Sequence, residues 1–165
     1  MGTYNGELQV ARGNSPRGRQ PYLVQNTIDI ATTKAEKGTA LAANDIIEAI
    51  SVPANTLVIQ AGYQVTTAMD ASAAGCTMHL GFSDTHGAVD TFVTAFDIDA
   101  AAAGDYATPT DDSNILVETA DTLDLELQAA TTGPITGAIR VFAVLMDISD
   151  TGEGVPSEVA RDALA

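Results

Sequence analysis

A chain of 165 residues that is 45% hydrophobic, with mean hydropathy +0.11, has the material for one domain with a sizeable core and is no disordered acidic tail. A formal net charge of −15 and a pI near 4.1 oppose nucleic-acid binding by the body, because phosphate recognition needs cations to displace counterions. A single cysteine, Cys76, excludes an internal disulfide framework, and no apolar run approaches the roughly 18 residues of a membrane span.

The charge is unevenly placed. Five of the seven basic residues lie in the first 37 positions, with only three of the 22 acids. Residues 1–21, punctuated by Gly2, Gly6, Gly13, Pro16, Gly18 and Pro21, read as an extended basic arm that carries Arg12, Arg17 and Arg19. This start has no apolar stretch of signal-peptide type. From Pro21 the pattern turns to strands, and residues 22–149 read as one domain. PYLVQNTIDI is a branched, β-like run, followed by a loop with a helical turn in KAEKGTALAANDII. IIEAISV is a strand and VPAN a turn. Thr56–Met69 alternates, with Leu57, Ile59, Ala61, Tyr63, Val65 and Met69 on one face and Gln60, Gln64 and Thr66 on the other.

Gly75–Phe82 places Cys76, Met78, Leu80 and Phe82 on a buried face, which makes the thiol an inert core group, and turns His79 outward. Val89, Phe92, Val93 and Phe96 recur at helical spacing and predict a helical turn. Residues 97–114 form a long polar loop, and Ile115–Glu118 a short strand. Leu123, Leu125 and Leu127 alternate with Asp124, Glu126 and Gln128, the pattern of a strand buried on one face. Ala138–Ile148 is apolar on both faces, with Ile139, Val141, Ala143 and Leu145 on one and Phe142, Val144 and Met146 on the other. The second face suggests either a subunit interface or a central strand covered by loops. Residues 150–165 form a flexible tail in which Val159, Ala163 and Leu164, after Pro156, have the spacing of a short helix. Short strands separated by turns, with no full-length helices between them, predict an all-β fold: an antiparallel β-sandwich, jelly-roll-like.

No constellation for catalysis stands out, and the expectation is a protein that is not an enzyme and carries no cofactor. His79 and His86, with Asp84 and Asp90 near them, supply too few nitrogen ligands and lack the HxH spacing of a cupin-type metal site. Asp97, Asp99, Asp111 and Asp112 leave a calcium ion in the 97–112 loop open, without an EF-hand signature. Phosphate loops, nucleophile elbows and CxxC pairs are absent. Arg12, Arg17 and Arg19 suit carboxylates on a protein partner better than phosphates, since the acidic body repels nucleic acid. A carbohydrate-binding sandwich, as in a virion adhesin or tail-associated module, remains the alternative. It lacks Trp, and Tyr4, Tyr22, Tyr63 and Tyr106 are scattered.

The run IIEAISVPANTLVIQAGYQVTTAM, then VDTFVTAFDIDAAAAGDY, then ADTLDLELQAATTGPITGAIRVFAVLMDIS resembles the capsid decoration, or cement, proteins of tailed bacteriophages, especially of marine phages. The resemblance spans roughly residues 20–149 and is carried by pattern and order: VPANTLV, ADTLDL and RVFAVLMDIS. It implies a β-sandwich on the outside of the virion head, made in the host cytoplasm. The protein would clamp neighbouring major capsid subunits as a homotrimer, without nucleic acid or membrane as partner. The arm, through Arg12, Arg17, Arg19 and Tyr22, is then the expected capsid contact, and Phe142, Val144 and Met146 the expected oligomer interface.

Overall fold

The structure is a computed structural model that describes residues 20–83, 86–107, 109 and 114–148, together with the backbone of residues 3–10. Ten strands and one helix follow in order: β1 (Thr3–Val10), β2 (Tyr22–Asp29), α1 (Ile30–Lys37), β3 (Asp45–Val52), β4 (Thr56–Thr67), β5 (Thr77–Gly81), β6 (Val93–Asp97), β7 (Tyr106–Ala107), β8 (Ile115–Val117), β9 (Asp121–Ala129) and β10 (Ala138–Asp147). They build two packed sheets. Sheet A has the order β1-β3-β9-β5-β6. Sheet B has the order β2-β10-β4-β7, with β8 also paired to β4. Only β5 to β6 and β7 to β8 stay within one sheet; every other step in chain order passes from one sheet to the other, which gives the expected jelly-roll-like sandwich. All pairings are antiparallel except β1 with β3, which is parallel.

The core lies between the sheets. Ile47, Ile50, Leu123, Leu125, Leu127, Met78 and Leu80 come from sheet A; Val58, Ala61, Tyr63, Ile139, Val141, Ala143 and Leu145 come from sheet B. With no Trp, the aromatic share falls to a few rings. Tyr63 is fully buried, stacks edge-on to Phe96 with centroids 5.7 Å apart, and donates its hydroxyl across the sandwich to the Met78 carbonyl at 3.1 Å. Burial holds that phenol protonated, far above its ordinary range. Asn26 makes a second tie between the sheets, donating from Nδ2 to the Ala49 carbonyl at 2.9 Å. Cys76 is fully buried as expected, and burial raises its thiol pKa.

Four local readings are corrected. The helix lies earlier than the loop expected to carry it. Asp29 ends β2 and accepts from Thr32 N at 3.0 Å, and Gly38 closes the helix at φ 81°. Val93–Asp97 is a strand and not a helical turn, because its pairing with β5 outweighs the spacing of its apolar residues. Along β4 the alternation changes phase at an irregularity near Ile59. Val58 rather than Leu57 and Ile59 therefore faces the core with Ala61, Tyr63 and Val65. Asp124, expected on the wet face of its strand, is buried at 0% exposure, and His79, expected to point toward solvent or a neighbour, is 8% exposed and meets a neighbour. They do point away from the core, but chain on the far side of sheet A covers them. Phe82 N and Phe92 N bind Ala88 and Leu80 carbonyls, closing a loop over β5, and a Cβ on Gly81 would meet the Ala88 oxygen at 2.2 Å.

Within the segment read as an arm, Thr3–Val10 runs along β3, with Thr3 opposite Ile46 and Val10 opposite Ser51. Arg12, Arg17, Arg19 and the 150–165 tail lie outside the described residues.

Candidate docking surface

The two outer faces of the sandwich differ in chemistry. On sheet A, Glu48 of β3 pairs with Asp124 of β9 and His79 of β5 with Glu126 of β9, so polar and ionisable side chains cross three strands. On sheet B, cross-strand pairing arranges the outward residues in rows. Leu23 of β2 lies opposite Val144 of β10, which lies opposite Gln60 of β4. Gln25, Phe142 and Gly62 form the next row, and Thr27, Arg140, Gln64 and Tyr106 the one beyond it. At the opposite end Met146, Leu57 and Leu116 align. The Phe142 ring reaches over Gly62: a Cβ at that glycine would come within 2.8 Å of the ring Cζ.

This placement bears directly on the expected interface residues. Phe142, Val144 and Met146 share this outward face and are half-buried there, while Ile139, Val141, Ala143 and Leu145 are fully buried in the core. β10 is an inner strand of sheet B, so its neighbours β2 and β4 shield much of its second apolar face. Tyr22 is also half-buried and packs against the core. Burial first, and the nearby Asp147 carboxylate second, raise its phenol pKa. Leu23 takes the outward position beside it, 62% exposed. The sequence reading missed Leu23, Tyr106 and Leu116. For Leu23 the signal was available in the alternation of YLVQ; for the other two it depended on the pairing of very short strands.

The polar groups elsewhere have structural occupations. Asp124 accepts from Ser83 N at 3.3 Å, from the Ser83 hydroxyl, and from Thr122 Oγ1 at 2.7 Å. Desolvation outweighs these bonds and pushes its pKa up to about 6. His86 Nδ1 lies 2.9 Å from Asp121 Oδ2, and its Nε2 accepts from Thr119 N at 3.3 Å, joining the loop after β5 to the turn before β9. His79 Nδ1 accepts from Ala95 N at 3.0 Å and holds that residue at φ 45°. In the acidic loop, Asp97 accepts from Ala100 N at 3.1 Å, Asp99 from Cys76 N at 2.6 Å, and Asp105 from Ala102 N at 2.8 Å. Each of these carboxylates serves a different turn. Among the described residues, no group of three or more His, Cys, Asp or Glu is placed to hold a metal ion. No helix among them is long and apolar enough to cross a membrane.

No protein-family profile matches the chain, and no curated protein matches it either. Solved structures do. The fold is shared with phage capsid chains. A chain from the capsid of Ralstonia phage GP4 superposes with a TM-score of 0.59 at 15% identity, covering 87% of this protein and 99% of that chain. One from the capsid asymmetric unit of cyanophage Pam1 gives a TM-score of 0.53 at 13% identity, over 84% and 92% of the two chains. One from the acid-stable capsid of Helicobacter pylori bacteriophage KHP30 gives 0.52 at 14% identity, over 78% and 89%. At these identities the likeness is one of fold. In each case it takes in nearly the whole of the other chain, so the shared unit is the entire sandwich.

Proposed function

We propose that the protein is a virion structural protein: a decoration or cement protein that binds the outside of the assembled phage head and braces neighbouring major capsid subunits. The observation that carries this reading is the near full-length likeness of a single small sandwich to chains from three phage capsids. The side-chain chemistry agrees with it, since the polar clusters cap turns and tie loops together. The net charge of −15 favours the exterior, because packaged DNA inside a head repels an acidic body. The homotrimer and the contact made by Arg12, Arg17, Arg19 and Tyr22, both expected from sequence, belong to the same proposal.

The mechanism is linkage. A protein that binds the assembled shell and not its separated subunits shifts the equilibrium against rupture, and many modest contacts per particle add through multivalency. Co-sedimentation tests it. The purified chain should pellet with shells of the phage that encodes it and stay in the supernatant with unassembled capsid subunits. Equal binding to both, or to neither, would overturn the reading.

A further inference from the structure

We infer that His79 is a pH-sensitive latch on the outer strand of sheet A: its neutral ring holds the middle of β6 in place, and protonation of that ring loosens the strand. β6 is the last strand of its sheet, and among the described residues it pairs with β5 alone. Between the pairs Met78–Phe96 and Leu80–Val93, two residues of β6, Thr94 and Ala95, stand opposite the single residue His79. This is a β-bulge, which leaves one residue outside the ladder and blunts an edge against further strands. Ala95 takes up the distortion at φ 45°, in a region that alanine rarely occupies. Its amide finds an acceptor in a side chain, His79 Nδ1, at 3.0 Å.

That acceptor exists in one charge state. A neutral imidazole keeps a lone pair on one nitrogen, whereas an imidazolium carries N–H at both. The bond is therefore made while the ring is neutral and is lost as the pH falls and the ring takes its proton. His79 is 8% exposed, so a charged ring has to move outward to be hydrated. The acids around it favour the charged form. Glu126 of β9 pairs with His79 and shares its face of the sheet. Asp124 follows two residues away on β9, with Glu48 of β3 beyond it. Asp90 and Asp97 flank the bulge on the β6 side. His86, in the loop after β5, is engaged by Asp121, and β5 itself carries no other ionisable side chain. Val93 is buried and Phe96 packs edge-on against Tyr63, so β6 stays anchored on both sides of the bulge and the loosening centres on Thr94 and Ala95.

Hydrogen exchange read by NMR tests this on the full-length chain from about pH 8 to about pH 5, the range in which imidazole changes charge, with rates corrected for intrinsic catalysis. Protection of the Ala95 amide should fall about tenfold on acidification, the scale of one lost hydrogen bond, with the same midpoint as the carbon resonances of the His79 ring. Amides in the middle of β10 should not lose protection. His79→Asn sets an amide oxygen near the place of Nδ1, an acceptor that does not titrate, and should keep Ala95 protected without that fall. Asp124 also titrates in this range, at about 6, but its proton stabilises the folded state, so it cannot produce a loss in acid. Level protection of Ala95 in the parent would overturn the inference. So would a midpoint that differs from that of the His79 ring, a comparison that needs no variant. An equal fall in His79→Asn would overturn it by assigning the effect to the carboxylates, and an equal fall throughout β10 would do so by showing global opening.

Discussion

Asp124 is the residue that departs furthest from what its position in the sequence suggests. It sits in the middle of a strand whose alternation reads as one wet face, yet it is fully buried and its pKa rises to about 6. The folded state therefore keeps the proton to higher pH than the unfolded chain does. The stabilisation from this group is complete below 3.8 and is lost as the pH rises through about 6. That shift corresponds to at most about 3 kcal/mol. Asp124→Asn should flatten this dependence: urea midpoints of parent and variant should converge near pH 4, and the variant should be the more stable at pH 7.5. Parallel profiles over that range would show that Asp124 ionises normally. Asp70 has the opposite sign. The Ser72 hydroxyl and the Ile135 and Thr136 amides hold its pKa down to about 2, so its contribution is present above 3.8 and lost as the pH falls toward 2. At Tyr63, replacement by Phe keeps the ring and strands the Met78 carbonyl, so denaturation should show a loss of about 1 kcal/mol. No change in midpoint would mean that this bond adds nothing to the link between the sheets.

At the scale of elements, the strands with clean alternation were legible. Leu123–Leu127 and Cys76–Phe82 put the expected residues in the core, because one buried face leaves a period of two that nothing else imitates. What escaped depended on partners. The helix begins at Ile30, inside a run of β-forming residues, because Asp29 and Gly38 supply its ends. β6 is a strand because β5 offers it an edge. Asp124 is covered by Ser83 from the loop after β5, and His79 by Ala95 of β6, partners that are distant in sequence and that periodicity cannot register. The outward apolar face was half legible: β10 showed it, while β7 and β8 are too short to carry a pattern. Within the extended arm, Thr3–Asn5 and Gln9–Val10 pair with the outer edge of β3. Removal of residues 1–20 should leave a cooperative β-sheet transition with its midpoint lowered by several degrees. A transition that disappears would make β1 an obligatory part of the sandwich.

For the whole molecule, the ordering principle is the separation of charge. Acids spread over sheet A and its loops, sheet B shows an apolar face, and most of the basic residues precede position 38. If Arg12, Arg17 and Arg19 meet carboxylates on the capsid, replacing all three with Ala should lower occupancy on particles and reduce its sensitivity to salt. A single replacement should change little, since an exposed ion pair is worth about 0.2–1 kcal/mol and only repetition over many copies magnifies it. Undiminished occupancy of the triple variant would remove these arginines from attachment. A retained complex with DNA in a low-salt gel shift would assign them to phosphate instead. The most direct test of the proposed function is a density map of a phage particle that contains this chain. It should show the sandwich on the outer surface of the head, seated across the junctions between major capsid subunits. Density for this sandwich in the tail, or on the inner surface against the packaged DNA, would contradict the account.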